Sequence, residues 1–234
     1  MLSERQAHLF QTLMREYIRT AEPVGSSRLA ELSVAGVSSA TIRMDLAELE
    51  EAGYLTHPHT SAGRVPTEAG YRYFIKHFMP EESSWQPAKD VVRELRDLRS
   101  KREELLRNLT HTLADLTGET AFASVGPDEL VYTGLTNLFA KPEFQNVAEV
   151  LVFSEMLDRM DEVVHSVFAS VRDEARIFIG SENPFGTACG TILLRVRVAP
   201  RTSGLLGLVG PMRMDYERNV AIMSSLKNVL NEVV

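Results

Sequence analysis

Residues 36–67 read GVSSATIRMDLAELEEAGYLTHPHTSAGRVPT. Ser38 stands where a helix N-cap is wanted, and Ile42, Leu46 and Leu49 follow at spacings that place them on one inward face. An advance of about 100° per residue sends Ala40, Met44, Ala47 and Glu51 to the opposite side, with Arg43 on its flank. Two alanines on that side let a helix backbone approach the floor of a major groove. Ser39 and Thr41 add hydroxyls, and Arg43 adds a guanidinium able to grip a guanine edge or hold a phosphate. The helix N-terminus behind Ser38 favours a phosphate through its free amides. Gly53 supplies a left-handed helix end. A short strand at 54–57, turn residues at 58–63 and a returning strand at 64–65 then form a hairpin. His57, His59, Thr60, Ser61 and Arg64 on that hairpin suit a DNA backbone, Arg64 being fitted to a phosphate or the minor groove. The pattern is that of a winged helix-turn-helix, which reads duplex DNA. The competing reading is an exposed helix beside a surface hairpin.

The flanks extend the same unit. Ser3 with Gln6 forms a capping box for a helix over 3–20, carrying Leu9/Phe10, Leu13/Met14 and Tyr17/Ile18. Pro23 stops it, and a short helix runs from Ser26 or Ser27 to Leu32. Thr67 caps a fourth helix with Tyr71, Phe74, Ile75 and Phe78, so a winged-helix domain over 1–79 is expected. Residues 80–87, PEESSWQP, read as a linker. Residues 88–117 read as one long helix with a coiled-coil-like seam of Val91, Leu95, Leu98, Leu105, Leu109 and Leu116. That seam has two readings, a dimer contact or packing on the strands that follow, and dimerisation is preferred. Residues 118–234 alternate helical and strand patterns: paired strands at 121–125 and 129–133, a helix over 147–171, strands at 176–179, 191–198 and 205–209, and a helix over 215–233 capped by Asp215. The fold class is α+β, with a few strands and helices packed on them.

Bulk properties narrow the function. The chain has 234 residues, a net charge of -7, 44% hydrophobic residues and one cysteine. That charge argues against indiscriminate coating of nucleic acid, although a small reading face needs only a few cations. A single cysteine excludes an internal disulfide framework and fits a reducing cytoplasm. No apolar run approaches the ~20 residues of a membrane span. The start, MLSERQ, lacks the basic and apolar segments of a secretory signal, so a cytoplasmic location is expected.

Other residue sets carry less chemistry. His57, His59 and His77 lack metal-ligand spacing or cysteine partners, and neither metal nor cofactor is expected. Cys189 reads as a packed small residue, and Asp158, Asp161 and Glu162 as a solvated helix face. Gly204, Gly207 and Gly210 fit a tightly packed strand better than a phosphate loop. Arg213 and Asp215 are placed to pair across a turn. No nucleophile–base set points to an enzyme.

The wording of the sequence adds to this. LSERQ at the start, YIRTAEPVGSSRLA at 17–30, VSSATIRMDLAELEEAGYL at 37–55 and HPHTSAGRVPTEAGYRYFI at 57–75 resemble the HrcA family of heat-inducible transcription repressors. NLFAKPEF at 137–144, IGSEN at 179–183 and GLVGPMRMDY at 207–216 resemble its second domain. The resemblance implies a homodimeric repressor of chaperone genes that binds an inverted-repeat operator, CIRCE. It implies a GAF-like second domain, here 118–234, and control by chaperonin, which heat diverts to unfolded clients. Ser39, Thr41, Arg43 and Met44 would face bases, and Thr60 with Arg64 would hold backbone. Two departures stand out. The family has Pro at the position of Ser39 and Asn at that of Met44, and Asn reads adenine where Met cannot. The chain is also about a hundred residues shorter than the family expectation, the missing length falling between about Val125 and Asn137. The rival function is a ligand-sensing regulator whose GAF-like domain holds a small effector.

Overall fold

A computed structural model of the protein describes residues 2–32, 37–58, 63–80, 85–98, 101–126, 129–144, 147–199 and 201–233. They form two compact units, Met1–Met79 and Pro80–Val234.

In the first unit, α1 (Glu4–Thr20) begins at Ser3, whose side chain accepts from the Gln6 amide while the Gln6 side chain bonds back to the Ser3 backbone. It ends at Ala21, φ 59°, ahead of Pro23. α2 (Ser26–Leu32) and α3 (Ser39–Glu51) follow, then β1 (Leu55–Thr56), β2 (Val65–Pro66) and α4 (Glu68–Phe78). Phe10, Leu13 and Met14 of α1, Leu29 of α2, Ile42, Leu46 and Leu49 of α3, and Tyr71 and Phe74 of α4 share one buried core. Each such side chain contributes about 1.5–3 kcal/mol of burial. β1 and β2 pair antiparallel. A Cβ at Gly70 would collide with the Tyr54 carbonyl, so this residue lets α4 lie directly against the chain entering β1.

The second unit contains α5 (Lys89–Asp97), α6 (Arg102–Thr117), β3 (Thr120–Val125), β4 (Glu129–Thr133), α7 (Leu135–Phe139), α8 (Val147–Asp158), α9 (Met160–Phe168), β5 (Arg176–Ile179), β6 (Cys189–Ala199), β7 (Thr202–Pro211) and α10 (Tyr216–Val233). The five strands form one antiparallel sheet in the order β4–β3–β7–β6–β5. Strand alternation separates its two faces. Phe122, Leu193, Leu205 and Val209 pack with Leu138, Phe153, Met160 and Val164 from α7, α8 and α9. The other face carries buried Ala121, Ile192, Leu206 and Leu208. α6 packs on β3, and α10 on β6.

Two elements differ from the sequence reading. The span expected as one long helix over 88–117 comprises α5 and α6, and its leucines turn inward within the unit. Leu95, Leu105 and Leu109 are fully buried, with α10 against both helices and the sheet against α6. Leu95, Leu105 and Leu109 therefore serve internal packing, because strands and a terminal helix distant in sequence reach them, while Val91, Leu98 and Leu116 are half-buried. Likewise the helix expected over 147–171 is α8 followed by α9, divided at Arg159, while Phe153, Met160 and Val164 keep the expected buried stripe.

The glycines of β7 follow from the same packing. Gly207 lies opposite Phe122 across the strands, and a Cβ there would strike the Phe122 ring. At Gly210 a Cβ would strike the Glu119 carboxylate.

Candidate nucleic-acid interface

The face of α3 follows the expected division. Ile42, Leu46 and Leu49 are buried, whereas Ser39, Ala40, Arg43 and Ala47 are exposed, and Met44 is 66% exposed. The Ser38 side chain accepts from the Thr41 amide at 3.2 Å, and the two hydroxyls lie 3.0 Å apart. Ser38 thus serves the helix as its N-cap, and Thr41 is half-buried beside it. Gly53 takes φ 79°, as expected of the helix end. An exposed methionine between two exposed alanines leaves an apolar strip with no packing role among the described residues.

The cations around this helix are in two different states. Arg5 of α1 grips Asp45 through two hydrogen bonds of 2.8 and 2.7 Å, and Asp45 is only 1% exposed. That charged hydrogen bond raises the Arg5 pKa. Gln6 donates to Glu48 at 2.6 Å. Glu50 takes His57 on one oxygen and lies 2.8 Å from Arg64 Nε on the other. Arg43 makes no hydrogen bond or ion pair with any of the described residues. The helix is held to α1 and the hairpin by its carboxylates, and the one guanidinium on its outer flank stays available.

The hairpin is fixed at its base. Arg64 exchanges backbone hydrogen bonds of 2.9 Å with Val24 in both directions. Thr67 donates its hydroxyl to the Gly53 carbonyl at 2.6 Å and caps α4 through the Gly70 amide. His57 is exposed and Arg64 is half-buried. His59, Thr60 and Ser61 lie outside the described residues.

In the second unit, contacts account for the three stretches that resemble the family's second domain. Asn183 of IGSEN donates to the Cys189 carbonyl at 2.8 Å and accepts from the Phe185 amide and the Thr191 hydroxyl, closing the loop between β5 and β6. Arg213 of GPMRMDY pairs with Glu143 of NLFAKPEF. The expected partner, Asp215, instead caps α10 by accepting from the Arg218 amide at 3.1 Å. The Arg213–Asp215 pairing is therefore corrected, since a helix N-terminus claims the aspartate. Lys141 of NLFAKPEF meets Glu119 at 3.1 Å. Burial pushes Glu119 up to about 7, against the pull of Lys141 and Arg213. The Tyr216 hydroxyl donates to the Met212 carbonyl, and its pKa is raised by burial and then by the neighbouring Glu119 charge. No signal within any one stretch marks these partners; only the pairing of a charge in one with an opposite charge in another could have suggested them. His77 stacks near Tyr73, and Cys189 is buried. A cleft of about 540 Å³ opens beside Glu155, Met156, Asp158, Arg159, Val163, Pro184 and Gly186. No helix among the described residues is long and apolar enough to cross a membrane.

Comparison with known proteins agrees across both units. The family described as HrcA protein C terminal domain matches residues 74–220, and the DeoR-like helix-turn-helix domain matches residues 11–67. The heat-inducible transcription repressor HrcA of Carboxydothermus hydrogenoformans is 26% identical over 337 aligned positions, covering 100% of this chain and 98% of that protein. Its counterpart in Halalkalibacterium halodurans is 23% identical with the same coverage of each. An alignment of 337 positions leaves about a hundred without a counterpart among the 234 residues here. A solved structure described as a hypothetical protein aligns with a TM-score of 0.71 at 19% identity, covering 100% of this chain and 98% of that one, and shows the fold.

Proposed function

The chain belongs to the HrcA family of heat-inducible transcription repressors, and from that premise we propose that it represses heat-shock genes by binding an inverted-repeat operator as a homodimer. The observation that carries this reading is the outer face of α3: Ser39, Ala40, Arg43, Met44 and Ala47 are exposed, and Arg43 is uncommitted. Ser39, Thr41, Arg43 and Met44 face base edges, and the hairpin of His57, His59, Thr60, Ser61 and Arg64 follows the backbone. Two copies related by a two-fold axis present two such faces to the two halves of a palindrome. Occupying a promoter in this way excludes polymerase and requires no catalysis.

The regulatory part of the reading comes from the family. A GAF-like second domain sets the spacing of the two reading heads. Chaperonin keeps the repressor active in the cytoplasm, and heat releases the genes by drawing chaperonin to unfolded clients. The operator is of CIRCE type, with its base preference altered at the positions met by Ser39 and Met44. Selection of bound fragments from a random duplex pool tests the core of this. A palindromic consensus is expected, and recovery of a single unrepeated site or of no consensus would overturn it. The cleft beside Glu155 and Arg159 favours a second reading, in which a small effector binds the second unit. Ligand-dependent shifts in melting temperature with purified metabolites separate that reading from heat-sensitive, chaperonin-rescued operator binding.

A further inference from the structure

The C-terminal half of α3 carries Asp45, Glu48, Glu50 and Glu51, and no cation follows Arg43 on that helix. Carboxylates on a helix that approaches phosphates are repulsive, so each needs a physical reason. Asp45 and Glu48 hold α1, as described. Glu50 differs, because its two oxygens reach both sides of the hairpin: His57 just beyond β1 and Arg64 just before β2.

The arginine contact is one-sided. Nε lies 2.8 Å from Glu50 Oε2, close enough for an ion pair though not aligned as a hydrogen bond, and Nε itself is buried. A quarter of the Arg64 side chain remains exposed. A guanidinium is a planar fork with five N–H donors, so a carboxylate on its Nε edge leaves the Nη donors for a second acceptor. The Arg64 backbone is already pinned to Val24 on both its amide and its carbonyl, so the side chain is the remaining freedom.

We infer that Glu50 is a positioning residue for DNA binding: it anchors the inner edge of the Arg64 guanidinium and ties the hairpin to the reading helix, so that the outer edge meets a backbone phosphate. The inference rests on the reading of Arg64 as a phosphate contact. Its consequence has a sign opposite to that of simple charge. If Glu50 only repelled phosphate, removing it would tighten binding to every duplex; if it positions Arg64, removing it weakens binding.

The test uses the full chain, with Glu50→Ala, Glu50→Gln, Arg64→Ala and the double variant Glu50→Ala/Arg64→Ala. Each is titrated at several salt concentrations against the operator selected from a random pool and against an unrelated duplex. Glu50→Ala should weaken binding to both duplexes roughly tenfold, the scale of one charged hydrogen bond. It should also lower the salt slope by about one, as expected for loss of one phosphate contact. The double variant should bind no worse than Arg64→Ala alone, which a general loss of structure would not produce. Glu50→Gln keeps length and one acceptor and should recover part of the affinity, which also guards against a misfolded alanine variant. Unchanged or tighter binding by Glu50→Ala and Glu50→Gln, with Arg64→Ala still weakened, would overturn the role of Glu50 alone. An Arg64→Ala variant with unchanged affinity and slope would overturn the phosphate reading, and the inference with it.

Discussion

The two units place their charges in opposite ways. In residues 1–79 the carboxylates of α3, Asp45 among them buried, hold cations beside the outer face, with Arg5 and Arg64 paired while Arg43 has no partner among the described residues. In residues 80–234 the corresponding pair is interior: Glu119 has a side chain 5% exposed and Lys141 one 23% exposed. Each of these pairs keeps part of its cation in water, where screening weakens it. A buried pair costs desolvation and is costly to break, so it fixes how β3, α7 and the turn before α10 fit together. The difference teaches that a stretch shared with a family need not be a site of chemistry. The first unit uses charge to tie α3 to its neighbours while leaving Arg43 unpaired among the described residues, and the second uses it to fix the sheet against its helices.

The contrast can be broken most strongly at Lys141. Replacing it with Ala should destabilise the second unit by up to about 3 kcal/mol at pH 8, where Glu119 must either stay charged without its partner or take up a proton. The cost should be smaller at pH 5, where Glu119 is neutral, and chemical denaturation at the two pH values checks it. In the unaltered protein the sign is set by a folded pKa of about 7, raised above the ordinary 4.5. The stability that neutral Glu119 contributes is full below about pH 4.5 and is lost as pH rises through about 7. Glu119→Gln should flatten that dependence, and an unchanged pH profile would remove Glu119 as its source.

At the proposed reading face the expected effects concern binding. Arg43→Ala should cost roughly 1–3 kcal/mol for the operator and relax selectivity, without a change in melting temperature. Operator affinity and selectivity surviving that change would show the reading helix to be misplaced. Met44→Asn should add a preference for adenine at one operator position worth about 1 kcal/mol, seen in a repeated selection from random duplex. Arg64→Ala should differ in kind from both, a uniform weakening on all duplexes of roughly tenfold with the salt slope lowered by about one. A loss confined to the operator would move Arg64 from backbone to base contacts and blur the distinction drawn here.

Sequence alone determined what short-range physics controls. The Ser3, Ser38, Thr67 and Asp215 caps, the left-handed Gly53, the inward Ile42, Leu46 and Leu49 and the hairpin of 121–125 with 129–133 all depend on neighbours a few residues away. The outer face of α3 was legible for the same reason, since helical rotation fixes it once the inner face is known. Tertiary structure decided which charges meet and which apolar stripes are already covered. Arg5 finds Asp45 across 40 residues and Arg213 finds Glu143 across 70. Leu95, Leu105 and Leu109 of α5 and α6 are buried in packing that brings in α10 and the sheet. Periodicity shows that a face must be buried but not against what, because the partner is chosen by the path of the whole chain and not by local spacing.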